Sequence, residues 1–231
     1  MPRRTAPVRA LITAEHASRR VPERWRHCFA QAEAVLETHR AWDPGSGRLA
    51  RELAAQLNQK PMLGCVTRLL VDLNRPADHR YCFSEYTQDL DAGDRALLLE
   101  AFHRPYWQRY FERVSEPGRC LHLACHSFTP ILDGGERRTD IGVLFDPSHP
   151  PEARWCRGLI EHLRDELPTL RIHANQPYRG TSSGLGQYHR LKFSPDKLLT
   201  VELEVSMGLL SRPDWPRLQS RLLTCLLNHL A

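Results

Sequence analysis

The 231-residue chain lacks a long hydrophobic run, an internal repeat, a low-complexity tract and any block of five or six like charges. With 41% hydrophobic and 26% charged residues beside 13 Gly and 17 Pro, these absences exclude a membrane span, a disordered or collagen-like chain and a charged tail. Paired cysteine spacing is missing too. The seven Cys, at positions 28, 65, 82, 120, 125, 156 and 225, form no C-x2-C pair and are odd in number, so reduced thiols in the cytoplasm are expected. No export signal is expected, because the apolar stretch after Arg3 and Arg4 is interrupted by Arg9 and stops at Glu15. Gly180, Gly184 and Gly186 make neither a dinucleotide fingerprint nor a phosphate loop, and there is no G-x-S-x-G elbow. Nucleotide-dependent and serine-based chemistry recede accordingly. The 32 Lys+Arg against 27 Asp+Glu give a spread-out +5, too weak for nucleic acid but suited to a small anionic ligand.

The length fits one domain spanning 1–231. Short apolar, β-rich runs alternate with helical patterns, which predicts an α/β fold with a parallel or mixed sheet flanked by helices. Strands are expected at Val8–Ala14, Gly64–Leu70, Cys120–Cys125, Ile141–Phe145, Leu170–His173 and Leu198–Val205. Helices are expected at Gly47–Leu57, Ala92–Val114 with a kink near Pro105, Glu152–Glu166 and Pro216–Leu230. The last has a broad apolar face that suits covering the sheet or a dimer contact, so a monomer or homodimer is expected. Ala174–Gly186 is the longest turn-rich segment, and a loop of that size in a compact domain is often functional.

Polar residues gather where these strands end. Glu15 and His16 follow the first, Asp72, Asn74 and Arg75 follow Gly64–Leu70, and His126 ends the third. Ligand crevices of open α/β sheets lie at such carboxyl ends. Cys120-Leu-His-Leu-Ala-Cys-His126 holds two Cys and two His, but strand alternation puts Cys125 on the opposite face from residues 120, 122 and 126. Four ligands therefore cannot converge there; His122 and both Cys read as core, and His126 as the candidate ligand. Glu202 and Glu204 share one face of an otherwise apolar strand, a costly arrangement unless it borders water or a cation.

Thr13-Ala-Glu-His-Ala-Ser18, His39-Arg-Ala-Trp-Asp-Pro-Gly45, Arg68-Leu-Leu-Val-Asp-Leu-Asn-Arg75, His126-Ser-Phe-Thr-Pro130, Asp140-Ile-Gly-Val-Leu-Phe-Asp-Pro147, Asn175-Gln-Pro-Tyr178 and Glu202-Leu-Glu-Val205 follow one another in the order of a known pattern. Together they resemble the N-formylglutamate amidohydrolase family, over about residues 11 to 208. That resemblance implies a zinc carboxypeptidase-like and aspartoacylase-like fold, a mostly parallel mixed sheet of about eight strands between helices. It also implies one zinc ion per chain, or another divalent ion in its place, at the strand ends.

By the same resemblance His16 and His126 are metal ligands. Arg19 stands where the peptidases carry a glutamate ligand, so Asp43 is taken as the carboxylate ligand with Glu15 as the fallback. Asn74 and Arg75 correspond to the pair that holds a substrate carboxylate, and Arg suits that task through its bidentate fork. Arg68 would face a carboxylate or the oxyanion, or form a salt bridge to Asp72 or another acid. Glu204 corresponds to the general base, with Glu202 as its support or its replacement. Tyr178 would close over the substrate or simply pack. The implied activity is zinc-dependent hydrolysis of a small acidic N-acyl amino acid, N-formyl-L-glutamate being the archetype. The alternatives are a different N-acyl amino acid, a peptide C-terminus or an ester as substrate, or a non-catalytic carboxylate-binding module. Neither nucleic acid nor a membrane is expected as a partner.

Overall fold

In the computed structural model, which describes residues 9–230, the chain folds around a six-stranded sheet ordered β2-β1-β3-β8-β6-β7. Its strands are β1 (Arg9–Ala14), β2 (Met62–Leu63), β3 (Cys120–Phe128), β6 (Ile141–Leu144), β7 (Ile172–Ala174) and β8 (Leu198–Ser206). The first four in spatial order run parallel, and β6 meets β8 antiparallel while pairing parallel with β7. Two further strands, β4 (Ile131–Leu132) and β5 (Gly135–Glu136), make a separate hairpin, so the main sheet has six strands rather than about eight. Val8 lies outside the described residues. β3 continues three residues past the expected Cys125, which places His126 within the strand.

Helices α1 (Ser46–Gln56), α4 (Pro150–Glu166) and α7 (Trp215–Leu230) cover one face. Their buried residues recur with helical period, as in Leu218, Leu222, Cys225 and Leu226 of α7, and meet Ile12, Leu121, Leu123, Val201 and Leu203 of the sheet. The apolar face of α7 is thus spent on the sheet and on α4. No helix of the described residues is long and apolar enough to cross a membrane. On the opposite face lie α3 (Arg104–Ser115), reached through α2 (Ala92–Leu98), and the short α5 (Leu185–Arg190), which pack on Leu11, Cys120 and Leu198. A four-residue α6 (Met207–Leu210) follows β8.

Two expectations are corrected here. Gly64–Leu70 is not a strand: Gly64 N–H still reaches Ala14 O of β1 (2.9 Å), but Thr67 N–H goes to Arg20 O (2.9 Å) and Arg68 N–H to Ala41 O (3.1 Å), both in loops, and Leu70 N–H closes a turn on Thr67 O. The run is apolar because Val66, Leu69, Leu70 and Val71 fill a satellite core with Trp25, Phe29 and Leu98. Ala92–Val114 is not one kinked helix either. A π-helical turn, Leu99–His103, separates α2 from α3. Pro105 offers no N–H to the carbonyl of residue 101 and its ring crowds that oxygen, and the wider turn relieves both.

On the α3 side the three central strands line up polar residues in rows. Registers pair Leu11 with His122 and Thr200, Thr13 with Ala124 and Glu202, and His126 with Glu204. His122 is 1% exposed and bridges the neighbouring strands, with Nε2 2.8 Å from Thr13 Oγ1 and Nδ1 2.7 Å from Thr200 Oγ1. It belongs to the frame under the site.

Burial drives the His122 imidazole down from the ordinary 6.5 to about 3, and His189 beside it to about 4. The unfolded chain therefore protonates first as pH falls, so their contribution to stability is complete above about 6.5 and is lost between there and about 3. Urea unfolding should show stability falling from pH 6.5 to pH 4, and His122→Gln should flatten that slope. An unchanged slope would contradict the role given to His122.

Candidate active site

The turn after β1 and the irregular chain of the satellite core meet the carboxyl ends of β3 and β8. Asp43 is fixed from three sides: its N–H donates to His16 O (2.9 Å), its carbonyl accepts from Ser46 Oγ (2.8 Å), and Ser127 Oγ donates to the adjacent Pro44 O (2.7 Å). Gly45, at φ +84°, supplies the left-handed turn that carries the chain from Asp43 into α1. Asp72 closes a local turn of its own, its Oδ1 accepting the Asn74 N–H at 2.8 Å.

His16, Asp43 and His126 are buried, and one ligand atom from each lies within 4.8 Å of the others. His16 donates from Nε2 to Asp72 Oδ1 at 2.7 Å. Burial and the nearby Arg68 push His16 down to about 4, outweighing Asp72, so the ring is neutral and its Nδ1 carries a lone pair. That nitrogen has no hydrogen-bond partner and faces Asp43 Oδ2 across 3.5 Å. A lone pair opposite a carboxylate oxygen is repulsive unless a cation stands between them. His126 brings Nδ1 to 2.9 Å from the same Oδ2.

The far side of each ring meets another acid. Glu15 Oε2 lies 3.2 Å from His126 Nε2, and Tyr106 donates its hydroxyl to Glu15 Oε1 at 3.1 Å. Imidazoles that present one nitrogen inward while a carboxylate holds the other are the usual support of a metal centre. Glu15 stands behind His126, outside the group formed by His16, Asp43 and His126. Burial opposes charge on Glu15, Asp72 and His126. The pairing overrides it, holding Glu15 at about 2, Asp72 well below the carboxylate range and His126 up at about 9. A divalent ion would replace the proton of His126 as the balancing charge.

These residues open on a cavity of about 310 Å³, also lined by Arg68, Asn74, Arg75, Tyr178, Glu202 and Glu204. Arg68 forms its ion pair with Asp43 Oδ1, an acid of the site other than Asp72. Asn74 Oδ1 accepts the Leu185 N–H (2.9 Å), which leaves the Asn74 amide hydrogens for an acceptor in the cavity. Arg75 donates to the Ser183 carbonyl across the cavity wall. Tyr178, 43% exposed, accepts a hydrogen bond from Arg137 at 3.0 Å and keeps its own proton to donate. Burial, reinforced by Glu202, raises Glu204 to about 6 against the pull of His126, and burial raises Glu202 as well. Asp72 as the partner of His16, Tyr106 behind Glu15, and Arg179, Ser182 and Ser183 in the cavity wall escaped the sequence reading. The Asp-x-Asn spacing was the one local sign of the Asp72 turn.

The family model of N-formylglutamate amidohydrolase matches residues 8–210. No curated protein sequence matches. Among solved structures, a gene product of Agrobacterium tumefaciens is similar at 25% identity and a TM-score of 0.76, over 96% of this chain and 92% of that one. An N-formylglutamate amidohydrolase of Ralstonia eutropha shares the fold at 15% identity and a TM-score of 0.64, over 98% and 93% of the two chains.

The geometry makes a demand that metal analysis can check. The purified protein should bind about one equivalent of a divalent ion, and His16→Ala or His126→Ala should abolish it. Asp72→Asn should leave the fold intact and weaken the affinity about 10- to 100-fold, the usual worth of such an outer partner. Undiminished binding in both histidine variants would remove the centre from this position.

Proposed function

The chain belongs to the N-formylglutamate amidohydrolase family, and on that premise we propose that this amidohydrolase cleaves small acidic N-acyl amino acids, with N-formyl-L-glutamate as archetype and zinc as its ion. The observation that carries the metal part is the partnerless His16 Nδ1 opposite Asp43. Held by His16, Asp43 and His126, a zinc ion would polarise the substrate carbonyl and acidify the attacking water.

The protein's own groups do the remainder. Glu204, raised into the range of a base that works near neutrality, takes the water's proton and hands it to the departing amine nitrogen. Arg68, tied to Asp43 and lining the cavity, turns positive charge toward the developing oxyanion. The free amide hydrogens of Asn74 and the fork of Arg75 receive a substrate carboxylate. Glu202, one row below Glu204 on the same face, supports the negative potential that keeps the base from ionising too readily. The seven unpaired cysteines, five of them buried, support a reducing compartment such as the cytoplasm.

Glu204→Gln should retain the metal while kcat falls about 10²- to 10⁴-fold; a normal rate would move the base to Glu202. In the unaltered protein, kcat/KM for N-formyl-L-glutamate should rise with pH through about 6 as Glu204 loses its proton, and a profile flat from pH 5 to 7 would contradict that assignment. Hydrolysis compared across the Glu, Gln, Asp and Ala N-formyl amino acids tests the substrate itself.

A further inference from the structure

Four arginines line the cavity, and they differ in what already occupies them. Arg40 is paired with Glu85 and Arg68 with Asp43. Arg75 gives one nitrogen to the Ser183 carbonyl and approaches its nearest acid, Asp72, only at 4.0 Å. The side chain of Arg179 has no ion-pair or hydrogen-bond partner among the described residues, although it lines the same cavity. Two guanidinium groups are therefore open to anions, Arg75 from the Asp72–Arg75 turn and Arg179 from the loop leading to α5.

The backbone that carries Arg179 is pinned on both sides. Asn175 Oδ1 accepts the N–H groups of Phe145 (3.1 Å) and Gly180 (2.9 Å). The Gly180 carbonyl accepts Arg190 NH1 at 2.9 Å, and Arg190 is itself paired with the fully buried Glu152 at 2.9 Å. Glu152 also accepts the N–H of Thr200 (2.9 Å), two residues before Glu202 on β8. A Cβ on Gly180 would fall 2.2 Å from the Phe145 nitrogen, so glycine is what lets the loop lie this close to the end of β6. On the other flank Tyr178 is held by Arg137. One buried ion pair thus fixes the loop of Arg179 and touches the strand of the base. Arg179 loses side-chain freedom on binding an anion but little backbone freedom.

We propose that Arg179 is a specificity-determining residue that receives the second carboxylate of the substrate, opposite the one held by Asn74 and Arg75. This deepens the hydrolase reading and rests on it. A dicarboxylic N-acyl amino acid then satisfies both open guanidinium groups, whereas its neutral amide analogue leaves Arg179 in water.

The test replaces Arg179, an exposed residue whose loss leaves the pinned backbone intact, by Leu and by Lys. Arg179→Leu should lower kcat/KM for N-formyl-L-glutamate about 10- to 100-fold through KM, change that for N-formyl-L-glutamine less than about 3-fold, and leave metal content unaltered. Arg179→Lys should recover part of the loss. Equal losses on both substrates, or no loss on either, overturn the proposal. If the unaltered protein hydrolyses neither compound, the activity proposed above fails, and calorimetric binding of the same two compounds decides this point alone. A preference for the glutamate compound that disappears in Arg179→Leu supports the proposal. A preference that persists, or that never existed, overturns it.

Discussion

Where the Nδ1 lone pair of His16 meets Asp43 Oδ2, two electron-rich atoms lie 3.5 Å apart with almost no water around them. His126 brings its Nδ1 to 2.9 Å from the same oxygen, and the other neighbours fix the contact in place. Asp72 orients His16 so that its proton points away, Glu15 holds His126 from behind, and Arg68 neutralises the other oxygen of Asp43. Each partner tightens the same arrangement, whose negative charge the proton of His126 balances and a cation held by His16, Asp43 and His126 would balance in its place. The carboxyl ends of β3 and β8, the β1 turn and the irregular chain around Asp43 and Asp72 all meet at this point.

Beneath the centre the architecture is conventional. β3 is buried along its whole length, as a central strand of a mostly parallel sheet must be, and its apolar run reads accordingly. The polar rows on the α3 side are the exception. Thr13, His122 and Thr200 spend their hydrogen bonds on one another, and that joins β1, β3 and β8 just below Glu15, His126 and Glu204.

What was legible in the sequence was local. Strand alternation set Cys125 apart from His122 and His126 and put Glu202 and Glu204 on one face, and the ordered motifs brought His16, Asp43 and His126 together. The failures are equally physical. Gly64–Leu70 has the composition of a strand because its side chains are buried, yet its N–H groups are claimed by carbonyls of residues 20 and 41, far away in the chain. Pro105 signalled a disturbance but not its form as a widened turn ahead of it. The pairings of Arg68 with Asp43, of His16 with Asp72 and of Glu152 with Arg190 join residues 25 to 56 positions apart, and no periodicity reports such contacts.

The satellite core has little regular structure, and it carries Asp43, Arg68, Asn74 and Arg75, whereas His126, Glu202 and Glu204 rise from the rigid sheet. Half of the site is thus mounted on a scaffold that cannot shift without breaking strand registers. The other half is mounted on loops whose lengths and turns tolerate change. Such a division separates the inheritance of a reaction from the inheritance of a preference. Descendants of this chain could exchange Asn74, Arg75 and the loop around them and meet a new acid while Asp43 and Arg68 kept their pairing and His126, Glu202 and Glu204 kept their places on the sheet.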